Sequence, residues 1–428
     1  MITRPYLFYR SLLLSVATLI IAVTPAAAEV WTLEKSIQRA VNSSPEQHGL
    51  AAGIAVRKFE LQQAGIWPTP TISLRTQNRL GLNGGTAGYN LDQLSITQSL
   101  PIWRLQKQKA VANKQLSAEQ AFAEKSLLTI QADIARLYYA LLFSHETLLL
   151  AEKRLHFTDT IIHALSRKNS HVIRYINPLE RHRIELLHEI ARRNTLKAQA
   201  GYEEARQVFR LRLQLPGQTE IQLPSMHLAA APPGLKALLD RLDKSSASIK
   251  QIQYQLDMEE ANIGLEEARR FNDPELSLIY ERDILNNRRQ NFKGVMLTMS
   301  MPLWNSNAGN IARAEAISNR TRSRLQIARR DLSTQLRQNH LLLSHLLQQH
   351  RTFQKQMIDP AEQLLNLTRQ SYTVGEVNSL NLIDAYNTYF NALKSNISLV
   401  YQSNMVATDL YQSVGDPALH LSQTGAIQ

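Results

Sequence analysis

The chain has 428 residues, 44% apolar, 20% charged and 7% aromatic, and a formal charge of +12 from 48 Lys+Arg against 36 Asp+Glu. It has no cysteine, which excludes disulfide frameworks, thiolate metal sites and cysteine nucleophiles. Its 15 Pro and 16 Gly are too few for a disordered or collagen-like chain, while the basic balance makes nucleic acid a partner to weigh.

Arg4 and Arg10 precede an uncharged apolar stretch over 11–23, which ends in Thr24-Pro25 and Ala26-Ala27-Ala28. A basic start, an apolar core too short for a membrane helix and an A-x-A site predict a cleaved secretory signal over 1–28. Export takes the product away from the genome, so no nucleic-acid partner is expected. No later run of 18 apolar residues occurs, so no helix of the mature chain is expected to span a bilayer.

A helix is predicted over 33–65. Two short alternating segments follow, around Ile72-Ser73-Leu74 and Leu94-Ser95-Ile96, joined by a loop carrying Gly81, Gly84, Gly85 and Gly88; they read as a β-hairpin. A long helix over 104–166 would span roughly 95 Å. Along it Leu127, Ile134, Leu141, Leu148, Leu155 and Ile162 fall seven apart, with Ile130 and Leu137 at the alternate position. That spacing predicts a coiled-coil seam. A return helix over 178–213 would span roughly 54 Å, and a Pro/Gly-bearing linker over 215–234 comes next.

The order then begins again. Trp67-Pro68-Thr69-Pro70 has its counterpart in Phe271-Asn272-Asp273-Pro274, and Leu100-Pro101-Ile102-Trp103 in Met301-Pro302-Leu303-Trp304. The second hairpin is predicted from Leu276, Leu278 and Tyr280 on one strand and Val295, Leu297, Met299 and Met301 on the other, with an Asn/Arg-rich loop over 286–290. Tyr386, Leu393, Val400, Ala407 and Val414 repeat the heptad spacing, and Pro360 should interrupt the helix before it. The chain therefore divides into a first repeat over 29–214, the linker over 215–234, a second repeat over 235–414 and a tail over 415–428.

Trp67, Trp103, Phe271 and Trp304 sit where strands meet helices. Such residues suit a membrane–water interface or the sealing of a soluble strand–helix corner, and both readings stay open here. If the hairpins do cross an outer membrane, four strands cannot close, and open edges cannot stand in lipid. Several chains would then have to pool their strands.

This layout resembles the TolC superfamily of outer-membrane efflux proteins over essentially the whole mature chain. The resemblance is carried by Pro68-Thr69-Pro70, Gln98-Ser99-Leu100-Pro101, Ser300-Met301-Pro302-Leu303-Trp304, and Asp359-Pro360-Ala361-Glu362 followed by Tyr372, Gly375, Leu382, Asp384 and Ala385. The start at Thr32-Leu33-Glu34 resembles the CzcC-like heavy-metal branch, although Thr69 stands where that branch often has Asn. The resemblance implies a mainly α fold with a small β part, in which three chains form a 12-stranded barrel on a 12-helix periplasmic α-barrel. It implies a homotrimeric exit duct in the outer membrane, in contact with its lipid. The partners would be a periplasmic adaptor and an inner-membrane pump of the resistance-nodulation-division type. Two other readings remain: an exported coiled-coil scaffold or adaptor without a barrel, and the exit duct of a type I protein secretion system.

Gly375 suits a helix end needing positive φ, and with Tyr372 it marks a hairpin tip. Asn381 and Asp384, three apart, share a helix face. The resemblance implies that acidic residues at these positions form the narrow periplasmic mouth; the alternative is that Asp384 serves the helix N-terminal dipole. The first tip carries His171 in place of Gly375, and the basic run Arg167-Lys168, Arg174, Arg181 and Arg183 lies near it with Tyr175. His340, His345 and His350, like His182 and His188, lack chelating i, i+4 spacing and are expected at solvated helix positions. No nucleophile–base pair or phosphate loop occurs, so no enzyme, cofactor or resident metal is expected.

Overall fold

A computed structural model describes residues 30–77, 91–168, 178–217, 219–285 and 288–415. The signal segment, the glycine loop, His171, Arg174, Tyr175 and nearly all of the tail lie outside them. The elements in order are α1 (Leu33–Ser43), α2 (Pro45–Ala64), β1 (Thr71–Gln77), β2 (Leu91–Ser99), α3 (Arg104–Lys168), α4 (Pro178–Arg212), α5 (Leu235–Ser245), α6 (Ala247–Ala268), β3 (Glu275–Leu285), β4 (Arg288–Thr298), α7 (Ala308–Phe353), α8 (Asp359–Val374) and α9 (Ser379–Val414). A π-helical turn, Gln354–Ile358, joins α7 to α8.

The helix expected over 33–65 is two helices. Ser44 leaves the helical region at φ −74°, ψ 123°, its hydroxyl accepts from the Glu46 N–H, and Pro45 opens α2. Proline has no N–H to continue the ladder of α1, so the sequence Ser-Pro both stops one helix and starts the next. Ser246 likewise leaves the helical region, at φ −60°, ψ 115°, between α5 and α6, but there Ala247 follows in place of proline and the serine hydroxyl makes no cap bond. At the α2 break the Glu46 carboxyl is pulled down to about 2, first by the Ser44 hydroxyl, then by its own backbone N–H and by Arg212 on α4.

The long helix stands as expected: α3 has 65 residues, about 97 Å at 1.5 Å per residue. It packs against α1, α2, α4, α6 and α9, and α7 packs against α5, α6 and α9. Of its heptad positions Ile134 and Leu141 are fully buried, while Leu127, Leu148, Leu155 and Ile162 are half-buried. A helix that long leaves part of its seam open within one chain.

Three apolar clusters hold the rods together. One joins Trp31, Leu33 and Ile37 to Ile134, Leu141, Phe209 and Leu213. A second joins Leu238, Leu242 and Ile249 to Leu336, Leu343, Leu410 and Val414. The third joins Ile161, Ile184 and Leu187 to Ile358, Leu365, Leu382, Tyr386 and Phe390. The segment over 215–234 is bonded to both sides: Gln222 accepts from the Trp31 N–H at 2.9 Å, and the Ala229 N–H donates to the Ser403 hydroxyl at 3.3 Å. Half-buried apolar side chains from Leu215 to Leu228, with the buried Ala229, drive this docking.

All four strands form one antiparallel sheet in the order β1-β2-β3-β4. Two expectations need correction. Arg288–Gln290 belong to β4, because the ladder runs up to Leu285↔Arg288. Met299 and Met301 lie beyond β4, which ends at Thr298 opposite Glu275; the preceding Pro274 has no N–H to extend the ladder.

Candidate functional site

The register sorts the sheet into two faces. One row reads Ile72, Ile96, Leu278, Val295; the next toward the hairpin ends reads Leu74, Leu94, Tyr280, Lys293. Between them on the opposite face lie Ser73, Ser95, Ile279 and Gly294, and the neighbouring row there is Thr71, Thr97, Ser277 and Met296. The polar face is knitted by hydroxyl pairs, Ser73 with Ser95 at 2.7 Å and Thr97 with Ser277 at 2.8 Å. The apolar face is bare: Ile72 is 69% exposed, Leu74 75%, Val295 72% and Leu297 66%. A sheet that buries neither face, apolar on one side and hydroxyl-lined on the other, has the pattern of a barrel wall between lipid and a wet lumen. Among the described residues of one chain, β1 and β4 each pair along only one edge.

The four junction aromatics stand at the helix end of this sheet. Trp103 and Phe271 meet, with ring centroids 5.7 Å apart. Trp67 is exposed and Trp304 is 94% exposed. Arg104 donates to Asp273 at 2.6 Å beside them, which fixes the first turn of α3 against the start of β3.

The second helical hairpin turns at residues 375–378. Gly375 takes φ +92° and its N–H reaches the Ser371 and Tyr372 carbonyls, closing α8. Asn378 caps α9, accepting from the Asn381 N–H. Leu382, Ala385 and Tyr386 face the core, so Asn381 and Asp384 share the exposed face. Asp384 is in the second turn of α9, past the first turn over which a helix dipole acts. Glu180 at the start of α4 accepts from the Ser379 N–H at 3.4 Å, which ties the start of α4 to the start of α9.

Just above this tip lies a group that the heptad pattern did not reveal. Arg154 on α3 donates to the Tyr386 hydroxyl at 3.0 Å and to the Asn387 side-chain oxygen at 2.8 Å, and the Tyr386 hydroxyl donates to the Arg154 carbonyl. The guanidinium also stands 5.0 Å from the centre of the Tyr386 ring. Burial raises the Tyr386 hydroxyl pKa, with Arg154 opposing. Tyr386 read as an apolar seam position; its polar partner is 232 residues away and leaves no local signal.

Two histidines differ from the solvated positions expected. His340 bonds the Pro233 carbonyl at 3.2 Å, and His188 meets Thr158 at 3.2 Å and Asp159 at 3.3 Å on α3. Both act as ties between elements.

Comparison with known proteins bears on this geometry. Residues 238–416 match the outer membrane efflux protein family. The chain is 23% identical over 395 residues to the cobalt-zinc-cadmium resistance protein CzcC of Cupriavidus metallidurans, covering 91% of each. Among solved structures, CusC aligns with a TM-score of 0.73 at 17% identity, over 90% of this chain and 92% of that one. VceC of Vibrio cholerae aligns at 0.72 and 14%, over 90% and 96%. The open state of the Neisseria gonorrhoeae MtrE channel aligns at 0.72 and 17%, over 90% and 89%. The fold is thus that of the TolC-like outer-membrane channels, as the sequence resemblance implied.

Proposed function

We propose that this chain, a TolC-superfamily outer-membrane efflux protein, is the exit duct of a tripartite system that carries divalent heavy-metal cations out of the cell. It is a conduit and not an enzyme. The observation that carries the reading is the sheet: an exposed apolar face, a hydroxyl-lined face and, among the described residues, two edges paired on one side only, standing on a helical bundle whose longest helix spans about 97 Å. Edges cannot remain open in lipid, so β1 of one chain pairs with β4 of the next. Three chains then close a 12-stranded barrel, and their helices continue the lumen through the periplasm.

In this assembly Trp67, Trp103, Phe271 and Trp304 mark the inner membrane–water boundary. Asn381 and Asp384, with Tyr372 and Gly375 at the turn, form the mouth that meets the periplasmic adaptor and the resistance-nodulation-division pump. Heavy-metal cargo is favoured by the similarity to a cobalt-zinc-cadmium resistance protein along nearly the full chain and by the carboxylate that each protomer places at the mouth.

The absence of native cysteine gives a clean test. Ser73→Cys on β1, combined in turn with Gly294→Cys, Met296→Cys or Thr298→Cys on β4, should yield disulfide-linked dimers and trimers in membranes for at least one pairing. Monomer alone in every combination, or release of the chain by carbonate, would reject the shared barrel.

A further inference from the structure

Above the apolar rows the lipid-facing side of the sheet changes character. Along β4 that side carries Leu297, Val295, Lys293, Asn291 and Arg289, and Arg282 of β3 pairs with Asn291. Arg282 donates to the Asn291 side-chain oxygen at 3.4 Å, so the two share the face. Lys293 and Arg289 are the two diagonal neighbours of Arg282, each roughly 7–8 Å from it, and all three are exposed. The one carboxylate on this side among the described residues is Asp92, opposite Arg282. Three cations against one acid therefore mark the end of the sheet farthest from the helices.

Their height matters. The exposed apolar belt begins below the sheet at Leu303, Met301 and Met299 and continues through Leu297 and Val295. A strand tilted by about 40° climbs roughly 2.6 Å per residue along the membrane normal. Within β4 itself, from Thr298 at the helix end to Arg289, that is about 23 Å, close to the roughly 25 Å apolar band of an outer-membrane barrel. The cations thus reach the headgroup level of the outer leaflet, where long basic side chains can leave the hydrocarbon. Directly beneath them is a depression of about 420 Å³ lined mainly by Leu94, Ile96, Leu278, Tyr280, Lys293 and Val295.

We infer that this cationic rim with its apolar depression docks a phosphate-bearing glycolipid of the outer leaflet, Lys293, Arg282 and Arg289 taking its phosphates and the depression its acyl chains. The inference rests on the exit-duct reading, which sets this end of the sheet at the outer leaflet. Lys293 and Arg289 stand roughly 13–14 Å apart along β4, so the triangle can meet two phosphates on one headgroup, whereas a headgroup with a single phosphate reaches only one side.

The test uses the full mature chain in phosphatidylcholine nanodiscs, doped either with bisphosphoryl lipid A or with phosphatidylglycerol. Lipid A should be retained through purification and should raise the midpoint of thermal trimer dissociation. Lys293→Gln/Arg282→Gln/Arg289→Gln should lower that retention at least tenfold and abolish the rise while leaving assembly intact. Equal retention by the triple variant, or equal retention of phosphatidylglycerol by the wild type, would overturn the inference. If the triple variant does not insert, Lys293→Gln and Arg289→Gln singly must each cut retention about threefold, and unchanged retention in both overturns it. A wild type that fails to assemble even without lipid A removes the exit-duct reading itself, and this inference with it.

Discussion

Gly415 closes α9 with φ +74°, a backbone conformation that side-chain-bearing residues adopt only under strain. A Cβ added there would stand 2.8 Å from the Ser245 carbonyl oxygen, at the last turn of α5. Backbone cannot yield as a flexible side chain would, so the end of α9 and the break between α5 and α6 are fitted to each other through a missing methyl group. Gly415→Ala should cost about 1–3 kcal/mol, read as a lower unfolding midpoint, with the loss concentrated where α5 meets α9. Unchanged stability would mean that the two helices can separate there freely. Gly375, also at positive φ, does the equivalent work at the opposite end of α9, where it lets α8 turn into α9 within four residues.

At the scale of elements, the tie between α3 and α9 decides how the start of α9 is held. Arg154 supplies two donors and a cation–π face to Tyr386 and Asn387, and Phe157 packs on the Tyr386 ring from the same helix, centroids 5.2 Å apart. Arg154→Met keeps much of the apolar stem and removes the donors. It should lower stability by about 1–2 kcal/mol and speed amide exchange over 379–390, leaving the distant cluster around Leu410 and Val414 protected. Uniform acceleration along α9 would show that the tie is not local. The contrast with the heptad shows what the sequence makes legible. Periods of seven and of two are local patterns, so α3, α9, both hairpins and the apolar sheet face could be read in advance. So could the disturbance near Pro360: the ladder departs from α-helical pairing over Gln354–Ile358, one turn before the proline, and Gln354 bonds Asp359 across it. Arg154, His188 and His340 were opaque because their partners lie on other elements, and spacing says nothing of which rods become neighbours. The Ser44-Pro45 break is legible only in its cap chemistry and in a change of character, since α1 buries Leu33, Ser36, Ile37 and Ala40 along one face while α2 buries only Ala64.

Across the whole molecule, the proposed exit duct depends on what three copies would bring to one axis. The start of α9 offers one exposed carboxylate, Asp384, with Asn381 beside it on the same face, and Glu376 stands exposed in the turn before it. The helix-dipole account would place an acid in the first turn, yet the first turn of α9 carries none and Asp384 lies a turn further in. Three carboxylates facing a narrow lumen repel one another, attract cations and exclude anions, as charged rings do in channels. Salt screens this only in part, because the Debye length of about 8 Å at physiological ionic strength is comparable with so confined a passage. Asp384→Asn should therefore weaken cation preference in planar bilayers, seen as a reversal potential moving toward zero in a salt gradient, while the trimer and its insertion persist. Asn381→Asp adds a second carboxylate to each protomer and should strengthen the preference. Asp384→Arg should invert it or block conduction, since three guanidinium groups then face the axis. If the reversal potential stays put in all three variants, Asp384 lies off the conduction path and the selective constriction belongs to another level of the duct.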